Sequence, residues 1–311
     1  METIKLKNSD LEVSRLCVGG CPFGGHGWGN VCEDDFVDAI ECALDKGINF
    51  FDTADVYGLG TSEKLLGKNL HSVRDKVIIG SKFGVKVGNG ATVYDNSPDY
   101  INKCIESSLN RLNTDYIDLY QIHYRDEKTP LSEVVETLKK LQDQGKIRYF
   151  GLSNVHKDNL EELKPYKNIF VSFQDEYSLA CRKNENDMNF LSEEINMTPI
   201  TWGSLGQGIL TGKYDKNCSF DSNDRRSREI YVNFHGDKLL KNLEIVEEMK
   251  KISSEINKTL PAIAIRFILD FLKGSVVIAG VKNRKQLESN ISALGWKLDK
   301  KYIDSLNTIS Q

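Results

Sequence analysis

Eight short apolar runs, each followed by a stretch of helical periodicity, recur along this chain, and no other feature narrows the fold so far. The runs fall at 16–19, 48–52, 77–82, 116–122, 147–152, 169–173, 198–202 and 275–279. Helical spacing of apolar residues follows them at 34–46, 62–70, 98–112, 131–144, 156–163, 187–195, 237–256 with 260–272, and 284–294. The runs show little in/out alternation, as expected of strands buried on both faces of a parallel sheet that helices cover. Eight such α/β units in unbroken succession favour closure into a (β/α)8 TIM barrel over an open doubly wound sheet. Segments 3–7 and 11–14, around Asn8-Ser9-Asp10, predict an N-terminal β-hairpin, and 299–308 predicts an additional helix. At 311 residues, with no linker, low-complexity stretch or shift in composition, the chain reads as one domain over 1–311.

Composition excludes several classes. A formal net charge of -4 argues against a nucleic-acid or anionic-membrane partner, which calls for a basic surface. The longest uncharged apolar run, near 275–281, is too short to span a bilayer. The opening Met1-Glu2-Thr3-Ile4-Lys5 carries no apolar core of a secretory signal. Seven cysteines without a CxxC suit reduced thiols, so the expected setting is the cytoplasm.

The ends of the runs carry the chemistry. Ile48, Phe50 and Asp52 share one strand face by the period-2 rule, and a carboxylate on an apolar face needs a cation. The next runs end in Lys82 and His123, and Tyr57 follows Asp52 in the adjoining loop. The others end at Gly19-Gly20, Ser153-Asn154, Gln174, Trp202 and Gly280-Val281-Lys282. In a barrel these ends form one rim, where active sites sit. Taken singly, the residues have plainer readings: Asp52 and Lys82 as a structural ion pair, His123 as a satisfied core histidine, Gln174 and Trp202 as packing. Convergence on one rim favours a proton-transfer site. A nearby lysine is expected to lower the phenol's pKa from about 10, an aspartate to hold the lysine, and a histidine to donate to a substrate oxygen. No metal-ligand spacing is present, so a bound hydride donor is the natural source of electrons.

No GxGxxG or GxxxxGK[ST] is suitably placed, so a dinucleotide would not lie on a Rossmann fold. Ser153, Asn154 and Gln174 suit a carboxamide, and Trp202 offers a face for ring stacking. Leu205, Gln207, Gly208 and Leu210 lie where a pyrophosphate could run against backbone amides. Lys282 and Arg284 flank a helix start that favours phosphate.

Asp52, Tyr57, Lys82 and His123 resemble the catalytic tetrad of the aldo-keto reductases. The likeness runs through Asp52-Thr53-Ala54-Asp55-Val56-Tyr57-Gly58, Asp115-Tyr116-Ile117-Asp118-Leu119-Tyr120-Gln121-Ile122-His123, Gly145-Lys146-Ile147-Arg148, Gly151-Leu152-Ser153-Asn154, Gln174-Asp175-Glu176-Tyr177-Ser178 and 205–213, over essentially the whole chain. It implies an NAD(P)H-dependent oxidoreductase that interconverts carbonyl and alcohol. Tyr57 would be the general acid, Lys82 and Asp52 would tune it, and His123 would orient the carbonyl. NADPH is the expected cofactor, with NAD possible. It would lie along Gly20, Ser153, Asn154, Gln174, Trp202, Gly203, Ser204, Leu205, Gln207, Gly208, Lys213, Gly280, Val281, Lys282, Gln286 and Asn290, with Lys282 toward a 2′-phosphate. Departures are Trp202 where tyrosine is commoner, Gly203-Ser204 where Ser-Pro is commoner, and Ser289 where an acidic residue is commoner.

The substrate is expected to be a small carbonyl compound lined by Trp28, Tyr57, His123 and Tyr124, with Phe23, Tyr94 and 225–231 as further wall candidates. The arginines 225, 226 and 228 read as a solvated surface run, with an anionic substrate or the cofactor phosphate as the alternative partner. Two alternatives stay open: a slow, cofactor-binding regulatory subunit of the same fold, or a Schiff-base enzyme using Lys82. No heptad or apolar stripe indicates an oligomer.

Overall fold

The structure is a computed structural model that describes residues 1–25, 27–29, 31–88 and 91–311. Its strands are β1 (Thr3–Lys5), β2 (Glu12–Ser14), β3 (Leu16–Gly19), β4 (Phe50–Asp52), β5 (Ile78–Phe83), β6 (Val85–Gly88), β7 (Ala91–Tyr94), β8 (Ile117–Ile122), β9 (Ile147–Ser153), β10 (Ser172–Glu176), β11 (Thr198–Trp202) and β12 (Val276–Gly280). The helices are α1 (Glu33–Asp45), α2 (Thr61–Leu70), α3 (Pro98–Leu112), α4 (Leu131–Asp143), α5 (Leu160–Leu163), α6 (Glu185–Glu194), α7 (Gly236–Ile256), α8 (Leu260–Phe271), α9 (Arg284–Ile291) and α10 (Lys300–Ser310).

Eight strands close a parallel barrel in the order β3–β4–β5–β8–β9–β10–β11–β12, with β12 pairing back onto β3. The expected (β/α)8 barrel is therefore formed. β1 and β2 make the expected antiparallel hairpin. Local chemistry sets the helix ends. Ser97 caps α3 through Tyr100 N–H with Pro98 in the first turn, and left-handed Asn113 closes it. Thr259 and Asn283 cap α8 and α9 in the same manner.

Two apolar layers separate cleanly. Inside the barrel, Cys17, Phe50, Ile78, Leu119, Val171, Ile200, Val276 and Ile278 pack with Leu6, Leu11 and Val13. The last three come from the hairpin segment, which closes the N-terminal end of the barrel. It is tied down by Lys7 N–H to Thr198 Oγ1 at 2.8 Å and by Asn8 Nδ2 to the Asn196 carbonyl at 2.8 Å. Outside, Val18, Phe51, Ile79, Tyr120, Leu152 and Phe173 pack against the helices. Among the described residues, no helix is long and apolar enough to cross a membrane.

The structure differs from expectation in five places. β4 starts at Phe50, because Ile48 is held in the preceding turn by its N–H to the Ala43 carbonyl at 2.9 Å. Ile48 thus packs in the outer layer, not beside Phe50 and Asp52. β10 runs to Glu176, which puts Gln174 within the strand rather than at its end. The helix expected at 156–163 is a 3-10 turn Lys157–Asn159, one α-turn, and a second 3-10 turn Lys164–Tyr166 containing Pro165. The insert after β11 holds 3-10 turns at Gly206–Thr211, Arg225–Ser227 and Val232–Phe234. Finally, β6 and β7 form an unexpected antiparallel hairpin at the rim.

Phe50 is 0% exposed at the centre of the inner layer. Phe50→Ala is expected to remove about 3–5 kcal/mol of stability, read as a lowered urea midpoint. A loss below about 1 kcal/mol would show that the barrel interior collapses into the vacated space.

Candidate active site

The inner face of the barrel turns from apolar to polar one pleat above Phe50. Asp52 follows on the same face of β4, and Lys82 stands two residues beyond Gly80, the register partner of Asp52 on β5. Lys82 Nζ donates to Asp52 Oδ1 at 2.6 Å and to the Thr53 carbonyl at 2.9 Å, with Tyr57 Oη at 3.4 Å. The other carboxylate oxygen of Asp52 accepts from Gln174 Nε2 at 2.6 Å and from Gln121 Nε2 at 3.4 Å, and Gln174 Nε2 also donates to Gln121 Oε1 at 2.9 Å. All four side chains are buried.

Gln121 was not among the expected site residues. The signal that singled out Asp52, a polar group on an inward apolar face, applied equally to Leu119 and Gln121 on β8. Gly151 leaves room for it. A Cβ there would stand 3.3 Å from Gln121 Cγ and 2.7 Å from Ser172 Oγ, whereas one on Gly80 would make only ordinary contact with Gln121 Nε2 at 3.5 Å.

Tyr57 is carried by the turn after β4, through Tyr57 N–H to the Ala54 carbonyl at 3.1 Å. That turn lies so close to the loop after β3 that a Cβ on Gly24 would sit 2.5 Å from Gly58 N. The Tyr57 ring meets the His123 ring edge-on at 5.9 Å. His123 stacks on Tyr124 at 5.2 Å, and Tyr124 stacks on Tyr94 of the β6–β7 hairpin at 4.9 Å. On another side of the rim, the Trp28 ring meets Tyr231 of the insert edge-on at 6.0 Å.

Charge in the site does not follow the simplest expectation. Burial, joined by the neighbouring Cys21 thiol, Asp52 and Tyr124, pushes the Tyr57 phenol well above its ordinary value, and Arg225 opposes this. Burial thus outweighs the lowering expected from Lys82, whose Nζ is held on Asp52 and the Thr53 carbonyl. Tyr57 is a protonated phenol at neutral pH. Burial and the Lys82 charge hold His123 well below the usual imidazole range, so it is neutral. Its Nδ1 is buried without a partner. No hydrogen bond among the described residues fixes either ring nitrogen, so a substrate oxygen can select the tautomer.

The expected cofactor residues run from the end of β9 around the rim to α9. Asn154, in the left-handed region at φ 55°, donates to the His123 carbonyl at 2.9 Å and to Ser153 Oγ at 3.0 Å. With both Gln174 donor contacts made to Asp52 and Gln121, its Oε1 is left to accept. Trp202 Nε1 and Asn290 Nδ2 are buried and unpartnered among the described residues. Orphaned donors of this kind fit a ligand rich in carbonyl and phosphate oxygens. Gly203 and Gly208 have φ of 66° and 106°, and Gly280 is exposed, all suited to close backbone approach.

Other groups are already engaged. Gly20 N–H donates to the Asp52 carbonyl at 2.7 Å. The Ser204 hydroxyl is within 3.0 Å of Thr201 Oγ1, and Gln207 Nε2 donates to Glu176 Oε1 at 2.9 Å. Leu205 is half-buried and Val281 buried, while Lys213 is exposed beside the Tyr214 ring. Gln286 Oε1 accepts from Lys282 N–H at 3.0 Å, and Lys282 Nζ donates to the Trp28 carbonyl. Arg284 pairs with Asp38 at 2.8 Å rather than standing free for phosphate. The arginines of the insert are not a solvated run. Arg226 is buried on Asp224, Arg225 is half-buried, and Arg228 alone is exposed.

Beside the tetrad, Asp55 has a half-buried carboxyl pushed up to about 7 by burial and Glu63. The folded chain then binds more protons than the unfolded chain between about pH 4 and pH 7, so this group's contribution makes stability fall as pH rises through that window. Asp55→Asn is expected to be more stable than wild type by ~1–3 kcal/mol at pH 8 and to lose that advantage near pH 4. Urea unfolding at both pH values checks this. An equal difference at both would show that the carboxyl does not titrate in this range.

A model of the Aldo/keto reductase family matches residues 15–311. The chain is 32% identical over 314 residues to the aldo-keto reductase YhdN of Bacillus subtilis (strain 168), a match covering 99% of this chain and 93% of that protein. It is 29% identical over 318 residues to an NADH-specific methylglyoxal reductase of Escherichia coli (strain K12), covering 96% and 95%. Among solved structures, a glycerol dehydrogenase from Gluconobacter oxydans superposes with a TM-score of 0.88 at 32% identity, covering 99% of this chain and 94% of that one.

Proposed function

Because the chain belongs to the aldo/keto reductase family of carbonyl oxidoreductases, we propose that it reduces an aldehyde or ketone to an alcohol with Tyr57 as the proton donor. The observation that carries this is the linked set Asp52–Lys82–Tyr57, at 2.6 and 3.4 Å, with His123 against the phenol ring. A bound nicotinamide supplies the hydride to the carbonyl carbon. The chain's own groups handle the oxygen. A ring N–H of His123 and the Tyr57 hydroxyl both donate to it, and negative charge developing there is met by two donors in a desolvated site. Tyr57 then gives up its proton. The phenolate that forms lies 3.4 Å from Lys82 Nζ, which stabilises it at that moment and not before. The raised resting pKa of Tyr57 thus suits an acid, which must arrive protonated.

The carboxylate clamp on Lys82 argues against a Schiff-base role, which needs a neutral, accessible amine. Lys82 is 1% exposed. Ser153, Asn154, Gln174 and Trp202 would hold the nicotinamide end of the cofactor, and Lys282, Gln286 and Asn290 the adenosine end. Lys213 adds positive charge around Lys282, while that of Arg226 is offset by Asp224, and the excess of cations supports NADPH over NADH. The Escherichia coli relative is named NADH-specific, so the preference is a property of this chain's own residues.

Tyr57→Phe is expected to lower kcat for aldehyde reduction by ~10²–10⁴-fold while leaving the fluorescence titration with NADPH within about threefold of wild type. Retained turnover would remove Tyr57 from the reaction, and failure of both nicotinamide cofactors to bind would remove the reductase reading. Turnover that is slow even in wild type, with tight cofactor binding, would favour the regulatory-subunit alternative. Lys282→Ala is expected to weaken NADPH by about 10–100-fold and NADH much less, the scale of a charged hydrogen bond. Equal weakening of the two would detach Lys282 from the 2′-phosphate.

A further inference from the structure

Resting on the reductase reading, we infer that Arg225 is the specificity residue of the substrate pocket and that the carbonyl substrate bears a carboxylate a few bonds from its reacting carbon. The argument begins with three glycines of the loop after β3. A Cβ on Gly24 would strike the backbone of Tyr57 and Gly58 at 2.7 and 2.5 Å. One on Gly27 would strike Arg225 at 2.5 Å from Cγ and 2.9 Å from Nε. One on Gly29 would stand 3.5 Å from Lys282 Nζ and 3.5 Å from Asp224 Oδ2. This loop therefore runs from the backbone of the turn that carries Tyr57, along the Arg225 side chain, to the lysine assigned to the adenosine end. Arg225 lies over its middle, clasped by its own N–H to the Gly27 carbonyl at 2.9 Å. The Trp28–Tyr231 contact flanks the same crossing.

Arg225 and Arg226 are adjacent in sequence and serve different ends of the cleft. Arg226 is buried, donates to Asp224 Oδ1 at 2.8 Å and lies over the Phe220 ring at 4.5 Å. Its charge is felt at Lys282. Arg225 forms no ion pair or side-chain hydrogen bond among the described residues, and its charge is felt instead at Tyr57 and Cys21. A half-buried guanidinium without a counter-ion among the described residues, lying on the loop that packs against the turn of Tyr57, is a standing demand for an anion. A planar guanidinium fork suits a carboxylate held bidentately. The stacked Tyr94, Tyr124 and His123 continue the rim from the Tyr57 ring.

The test compares matched pairs of probe aldehydes, succinic semialdehyde with butanal and 4-carboxybenzaldehyde with benzaldehyde, in wild type, Arg225→Gln and Arg225→Lys. Wild type is expected to favour the acidic member of each pair in kcat/KM. Arg225→Gln should reduce that ratio by about 10–100-fold, chiefly through KM for the acid, and Arg225→Lys should restore part of it. Reduction of both members with a ratio unchanged by Arg225→Gln would overturn the assignment and leave the reductase reading standing. Absence of turnover with every probe and both nicotinamide cofactors would overturn the two together.

Discussion

The Lys82–Asp52 ion pair is the interaction on which this structure turns. Two opposite charges are held in the centre of a barrel whose lower half is entirely apolar, where desolvation costs several kcal/mol per ion unless every lone pair and proton is engaged. Here they are engaged. Lys82 donates to Asp52 and the Thr53 carbonyl, while Asp52 accepts from Gln174 and Gln121 on the far side. Removing one partner of such a pair leaves an uncompensated buried charge, a loss of about 3–5 kcal/mol. The pair therefore dictates its surroundings: Gly151 on the inner face, amides on β8 and β10, and an apolar floor closed by the N-terminal hairpin.

Much of this could be read from the chain because barrel strands end in chemistry. Asp52, Lys82 and His123 each terminate an apolar run, and a closed parallel barrel collects such ends on one rim. What escaped was whatever depends on depth rather than order. Gln121 lies one pleat below the rim, hidden within an apolar run. Gln174 was expected at a strand end and lies inside β10. The direction of the Tyr57 shift also needed the structure, because residue order shows that a lysine is near but not how strongly burial acts on the phenol. The β6–β7 hairpin had a signal, Asn89-Gly90 between short runs of β-branched residues, yet alternation over four residues is weak beside the longer barrel strands.

The arginines of the insert show how local geometry divides a run of like charge. A 3-10 turn advances three residues per turn, so successive side chains point about 120° apart. Arg225–Ser227 adopts that turn, with Asp224 capping it through Arg226 N–H at 3.0 Å. One arginine is thereby driven inward onto Asp224 and three aromatic rings, and its neighbour is left over the loop beside Tyr57. Counting charges along the chain suggests a solvated surface, whereas the turn makes one structural residue and one cation without an ion-pair partner among the described residues.

This arrangement couples the two ends of the cleft through one small hub. Asp224 caps the turn, neutralises Arg226 and faces the same glycine as Lys282. The Trp28 carbonyl receives Lys282 Nζ while its ring meets Tyr231. The loop after β3 and the insert after β11 are thus joined by contacts that belong partly to the adenosine end and partly to the substrate wall. A shift of the loop that releases Lys282 must also move Trp28 and the guanidinium lying on Gly27. The contacts of Lys282 and of Arg225 thus share one loop.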